Sequence, residues 1–273
     1  MTLVLGPDPD DPRLADEVEG IDHTGAAVRL RVVAERPISI WLNGREVVTL
    51  MTIGDHPELL ALGYLLNQNL LARDDPVEEV LFDEETAAVV VRCTAVAPFE
   101  AKLERRIRTS GCAQGTVFAD AFSAFEKVRL PPAELRTSWL RPLTKSINTT
   151  PSLYLTAGAI HGCVLCRQAE PLVYVEDVGR HNAVDKIAGW MMREGVQGEG
   201  HIFYTTGRLT SEMVMKTALM GIPVLVSRSG FTAWGVELAR RVGLTLVGRA
   251  RGERFVVLAG REGVVFDHRG AAA

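Results

Sequence analysis

Several features that would classify a sequence quickly are missing from this one. No run of about 18 uninterrupted apolar residues occurs, so nothing reads as a membrane-spanning helix. The opening MTLVLGPDPDDPRLADEVEG has no basic start and no long apolar stretch, so it does not read as a secretory signal. Its prolines and acidic residues predict a poorly ordered tail over 1–25, with a second short tail at 268–273. A cytoplasmic location is expected by default. Positive charge is not in excess: 30 Lys and Arg against 34 Asp and Glu give a formal net charge of -4, and no global basic field recruits nucleic acid. Neither G-x-G-x-x-G nor a Walker A loop occurs, which argues against the common dinucleotide and triphosphate sites. Cysteine is scarce, at four residues: Cys93, Cys112, Cys163 and Cys166. A cytosolic chain of this size needs no disulfide, so the question is whether any of them is reactive.

What is present is 273 residues, 47% of them hydrophobic, enough for one large domain or two modest ones. Alternating runs AVRLRVV and ISIWL lead into Asn43-Gly44, a hairpin-turn pair, and then EVVTLM. Leu59, Leu62, Leu66 and Leu70 recur at helical spacing and predict a helix from near His56. VEEVLF and AAVVVRC read as two further strands. Pro131-Pro132 and Pro142 bracket a segment expected to be the junction between a β-rich part, 26–130, and an α/β part, 131–267. Beyond it, IFY, PVLVS and LTLVG alternate with helical stretches, which predicts an α/β sandwich with at least three roughly parallel strands. Phe231, Trp234, Leu238 and Val242 form one stripe, with Gly243 where a helix C-cap is wanted.

Six segments carry candidate chemistry. Cys112 lies in SGCAQG after the basic run Lys102, Arg105, Arg106 and Arg108; positive charge nearby favours a thiolate, although a cysteine without a role is the bland alternative. Cys163 and Cys166 have the C-x-x-C spacing of a metal or redox site, but no second short-spaced pair completes a zinc site. In a strand, thiols three apart diverge, so packing is the expected role. Cys93 ends an apolar run and reads as core. Glu176 to Lys186 joins a strand to a helix N-terminus, where α/β proteins place ligands. There Arg180, His181, Asn182 and Lys186 supply donors for phosphate or a base edge, and Asp177 or Asp185 could accept from guanine N1 and N2. The alternative is a solvated helix start with Asp185 as surface charge. Thr205-Thr206-Gly207-Arg208 and Ser227-Arg228-Ser229-Gly230 sit in two strand-to-helix turns that suit anions or are plain turns. Finally, Arg249-Ala250-Arg251-Gly252-Glu253-Arg254 is either a grip for pyrophosphate or a charged hairpin turn.

Taken in order from about residue 26 to 266, MTIGDHPELLALGYLL, SGCAQGTVF, TAGAIHG, VEDVGRHNAVDKIAG, GRLTSEMVMKTALMG and RARGER resemble the FdhD family of formate dehydrogenase accessory sulfurtransferases. DVGRHNAVDK is the most specific of these strings. The resemblance implies an α/β, cytidine-deaminase-like three-layer sandwich with a smaller β-rich N-terminal part, and a homodimer. It implies that a cysteine desulfurase donates persulfide sulfur to the residue matching Cys112. The sulfur then passes to the molybdenum cofactor, bis-molybdopterin guanine dinucleotide, before that cofactor enters formate dehydrogenase apo-enzyme. Arg249 to Arg254 match the stretch assigned to the cofactor, so a GDP-like ligand is expected there, with no resident metal. Departures exist: Gly115 stands where many members have a second loop cysteine, and Asn67-Gln68 where they often have Glu-Gly. The missing thiol keeps open a rival function, a chaperone that binds the cofactor without moving sulfur. A zinc hydrolase of the deaminase type lacks its H-x-E and P-C-x-x-C residues.

Overall fold

The computed structural model describes residues 3–94, 106–108 and 116–267. Two strands, β1 (Ala15–Ile21) and β2 (Ala27–Val33), pair antiparallel into a two-stranded ribbon. Next come β3 (Arg36–Leu42) and β4 (Arg45–Thr52), joined by Asn43 and Gly44 at φ 49° and 82°. Two consecutive left-handed residues are what a tight hairpin turn demands, and Asn-Gly supplies them cheaply. Helix α1 (Pro57–Asn67) and strands β5 (Val77–Asp83) and β6 (Ala88–Cys93) follow, giving a four-stranded sheet ordered β4-β3-β6-β5. Its core gathers Ile38, Ile40, Leu42, Leu60, Leu65, Val89 and Val91.

A short antiparallel pair, β7 (Arg106–Arg108) and β8 (Thr116–Phe118), sets Arg108 opposite Thr116. Then come α2 (Ala119–Glu126), β9 (Leu135–Arg136), α3 (Thr137–Thr149), the single turn α4 (Leu153–Thr156), β10 (His161–Arg167), β11 (Glu170–Asp177) and α5 (Arg180–Arg193). The chain continues through β12 (Ile202–Thr205), α6 (Ser211–Leu219), β13 (Val224–Ser227), α7 (Ala233–Val242), β14 (Thr245–Arg251), β15 (Arg254–Ala259) and β16 (Val264–Val265), which pairs with β9. Strands β11-β10-β12-β13-β14-β15 form a six-stranded sheet. Strands β12, β13 and β14 are mutually parallel, while β10 and β15 run against their neighbours. The C-terminal ends of β11, β12, β13 and β14 therefore share one edge with the starts of β10 and β15. In open α/β sheets that edge is where ligands bind.

Helices cover both faces. On one face α2, α5, α6 and α7 enclose a core containing Phe125, Val184, Ile187, Met213, Leu225 and Leu246. On the other, Leu140, Leu143 and Ile147 of α3 pack on Val164, Tyr174, Tyr204, Val226 and Val247. Cys163 belongs to the first core and Cys166 to the second, both fully buried, so the two thiols do diverge across the sheet.

Three expectations change. Residues 15–21 lie in a strand and not in a tail, because their extended backbone pairs residue by residue with β2. The segment expected to be a junction is α3, which runs through Pro142. Its buried positions Leu140, Leu143, Thr144 and Ile147 follow helical spacing, and the packing of that stripe outweighs a proline penalty of about 3 kcal/mol. The segment before the expected boundary also contributes Ala121 and Phe125 to the sandwich core. Gly243 does cap α7 at φ 76°, although Trp234 of the predicted stripe stays 43% exposed.

The two parts of the chain meet where α1 crosses α5. A Cβ on Gly63 would lie 1.7 Å from the Asp185 carbonyl oxygen, and one on Gly189 would lie 2.0 Å from that of Leu59. Only glycine lets the helix backbones come this close. The crossing brings Thr52, Asp55 and Asn67 up to the segment that follows β11.

Candidate functional site

The residues from Asp177 to Lys186 turn largely inward. Asp177 is fully buried, and its carboxylate is consumed by its own neighbours. Oδ1 accepts from Gly179 N at 3.0 Å and from Asn182 Nδ2 at 2.9 Å; Oδ2 accepts from the Thr52 hydroxyl and pairs with Lys186 Nζ at 2.7 Å. Lys186 is also fully buried. It pairs with Asp55 as well and donates to the Glu176 carbonyl at 3.0 Å. Burial works against its charge, but Asp177 and Asp55 together carry its pKa above the ordinary lysine value. Asn182 donates to the Met51 carbonyl at 2.7 Å. Asp185, 1% exposed, accepts from Asn67 Nδ2 at 2.7 Å and pairs with Lys216 Nζ at 2.6 Å. Burial raises its pKa, against the pull of Lys216. Neither a base-edge role for Asp177 and Asp185 nor a surface position for Asp185 fits these contacts. With Asn182 and Lys186, they fasten α5 to α1 and to the end of β4.

Above this network lies a basic group at the start of α5 and in the turn after β12. His181 Nε2 is 2.9 Å from Glu212 Oε2. Burial holds the His181 pKa below its ordinary value despite that carboxylate. Burial lowers His161 too, helped by Arg180, His181 and Arg208. Gly207 carries no Cβ where one would meet Arg180 side-chain carbons at 3.0–3.1 Å. Ser227 donates to the Gly207 carbonyl at 2.6 Å and accepts from Ser229 N at 2.9 Å, so it ties two strand-to-helix turns together. Arg208 is exposed.

The open space at this edge is a cleft of about 520 Å³ lined by Arg228, Ser229, Gly230, Arg249, Arg251, Arg254, Phe255 and Val256. Four guanidinium-bearing residues around one cleft could hold an anion, because arginine stays charged and can bind phosphate oxygens in pairs. Arg249 sits at φ 55°, its N–H bound to the Ser229 carbonyl at 2.9 Å and its guanidinium 5.5 Å from the Phe231 ring. Arg251 Nε donates to the Arg228 carbonyl at 3.2 Å. Within the same stretch, Ala250 is buried in the α3-side core, Gly252 makes the turn at φ 59°, and Glu253 pairs with Arg141 at 2.9 Å. Of the six residues from Arg249 to Arg254, only the arginines line the cleft.

Cys112 lies outside the described residues; the strands on either side of its segment are β7 and β8. Cys93 is buried at the end of β6, its backbone bound to the Asn43 side chain through both N–H and C=O. Burial pushes the Cys163 thiol up to about 12 and raises that of Cys166 as well, so neither is a nucleophile near neutral pH. Asp55, Thr52, Glu212 and Tyr154 were not singled out from sequence. Thr52 lies 125 residues from Asp177 and Asp55 lies 131 from Lys186, and nothing local marks either pairing.

A family model described as the FdhD/NarQ family matches residues 33–265. The sulfur carrier protein FdhD of Listeria monocytogenes is 29% identical over 235 residues, covering 85% of this chain and 90% of that protein. The protein of the same name in Bacillus subtilis is 26% identical over 234 residues, covering 83% and 87% respectively. The crystal structure of a proposed formate dehydrogenase accessory protein from Desulfotalea psychrophila matches with a TM-score of 0.75 at 28% identity, over 92% of this chain and all of that one.

Proposed function

The chain belongs to the FdhD/NarQ family, and from that premise we propose that it is a sulfurtransferase serving formate dehydrogenase. Cys112 accepts persulfide sulfur from a cysteine desulfurase. The sulfur is then passed to a bound molybdenum cofactor, bis-molybdopterin guanine dinucleotide, which is the substrate. The names of its relatives, sulfur carrier proteins, support sulfur carriage.

The observation that carries the cofactor half of the proposal is the cleft lined by Arg228, Arg249, Arg251 and Arg254 at the C-terminal edge of the parallel strands. Its charge and its backbone turns suit a pyrophosphate. Affinity for a guanine nucleotide then comes chiefly from the phosphates, since Asp177 and Asp185 are occupied inside the fold. A cofactor with two nucleotide arms also suits a homodimer, in which two copies of the chain present two such clefts.

In the first step the Cys112 thiolate attacks the terminal sulfur of the desulfurase persulfide. A new S–S bond forms on Cys112, the old one breaks, and the desulfurase cysteine leaves as a thiolate. Arg105, Arg106 and Arg108, just before the loop in sequence, favour the thiolate needed for this attack. With Gly115 in place of a second loop cysteine, Cys112 acts alone.

The test is a Cys112→Ser strain. Formate dehydrogenase activity is lost while the purified variant keeps its fold and its affinity for GDP. Active dehydrogenase in that strain would leave the chain as a cofactor-binding chaperone, the function that Gly115 favours.

A further inference from the structure

Arg228 differs from the other arginines of the cleft in how it is held. Its Nη1 donates to the Tyr154 hydroxyl at 2.5 Å and to Asn148 Oδ1 at 3.3 Å, and its guanidinium carbon lies 5.4 Å from the Tyr154 ring centroid. A guanidinium has five N–H donors in a fixed plane. Anchoring Nη1 sets the direction of the rest, and no acceptor among the described residues meets Nε or Nη2. The fork is therefore oriented before any ligand arrives.

Tyr154 is itself held from below. It belongs to α4, a single turn whose N-cap residue, Ser152, makes no side-chain cap. The cap comes from a neighbouring strand instead. The Glu176 carboxylate, 1% exposed, accepts from Leu153 N at 2.8 Å and Tyr154 N at 3.0 Å, and from the Tyr174 hydroxyl at 3.1 Å. Burying a carboxylate is costly unless it is hydrogen-bonded, and here its hydrogen bonds fix the backbone that carries Tyr154. Contacts thus run from Glu176 on β11 to the α4 turn, from Tyr154 to Arg228, and from Arg228 to the cleft.

We propose that Tyr154, on the turn capped by Glu176, is a positioning residue for diphosphate binding that acts through Arg228. This rests on the cleft being the diphosphate site. A side chain held in its binding geometry loses less entropy when the ligand binds, which is worth on the order of three- to tenfold in affinity for one arginine.

The experiment is calorimetry of the full chain with GDP for wild type, Tyr154→Phe, Arg228→Ala and the double variant, with unfolding midpoints measured alongside. Tyr154→Phe should weaken binding about three- to tenfold at an unchanged midpoint. In the Arg228→Ala background the same substitution should have no further effect, because its route to the ligand is gone. Glu176→Gln, which spoils one of the two backbone caps, should lower the midpoint and should weaken GDP binding in the wild-type background but not in the Arg228→Ala one. An equal loss from Tyr154→Phe in both backgrounds, or no loss in either, overturns the proposal. Failure of the wild type to bind GDP would instead remove the cleft as the nucleotide site.

Discussion

Replacing Lys186 with methionine separates two roles that the sequence left open for the segment after β11, ligand binding and internal fastening. Its Nζ is fully buried and lies 2.7 Å from Asp177 Oδ2, in contact with Asp55 and 3.0 Å from the Glu176 carbonyl. Methionine fills much of the same volume but removes the charge, leaving the buried Asp177 carboxylate unpaired. Breaking a buried ion pair from one side costs about 3–5 kcal/mol. Asp177 keeps its bonds from Thr52, Asn182 and Gly179, which places the loss at the lower end, about 3 kcal/mol. For a chain of this size that corresponds to a fall in Tm of roughly 6–12 °C. Urea and thermal unfolding measure it. Adding Asp177→Asn should recover part of the loss, since a neutral amide tolerates burial better than an unpaired carboxylate. GDP affinity should stay close to wild type in whatever fraction remains folded. A Lys186→Met protein within about 1 kcal/mol of wild type that no longer binds GDP would refute the reasoning and return Lys186 to the ligand.

Further outcomes follow from the helix crossing, the core cysteines and the histidines. Gly63→Ala and Gly189→Ala should each cost about 1–3 kcal/mol or more in urea titrations, because the new Cβ lands on a facing carbonyl and the helices must part. An unchanged midpoint would refute the close crossing. Cys163→Ala and Cys166→Ala should each cost about 1 kcal/mol and leave activity intact. Iodoacetamide should label neither cysteine in the native protein, and rapid labelling would contradict their burial. Burial lowers the pKa of His161 and His181 from the ordinary 6.5, so the unfolded chain takes up their protons first as pH falls. Stability from these groups is complete above pH 6.5 and declines below it. The double His161→Gln, His181→Gln variant should flatten that decline in urea midpoints, and an unchanged slope would refute it.

The sheet sandwich was legible because each of its strands is a short apolar run punctuated by turn residues, and Asn43-Gly44 and Gly243 carry backbone signals that only a few residues provide. Helix α3 was not, since Pro142 and the preceding prolines mask a buried stripe whose value depends on the sheet it covers. The arginine cleft could be read from RARGER. Arg228 was visible in its turn, but its place in the cleft depends on β13 and β14 being neighbours. The polar string DVGRHNAVDK attracted a ligand because its charges look solvent-facing when written in a line. Their partners are Thr52, Asp55, Asn67 and Lys216, delivered by β4, the connection to α1, α1 itself and α6, and no local pattern announces them. Tyr154 was invisible for the same reason, as the residues it meets, Arg228 and the capping Glu176, lie 74 and 22 residues away in sequence.

The central claim, that Cys112 carries sulfur, is tested most directly by intact-mass measurement after incubation with a cysteine desulfurase and cysteine. Wild type should gain the mass of one sulfur atom, released by a reductant, and Cys112→Ser should gain none. The same gain in Cys112→Ser, or no gain in wild type with an active desulfurase, would contradict the account.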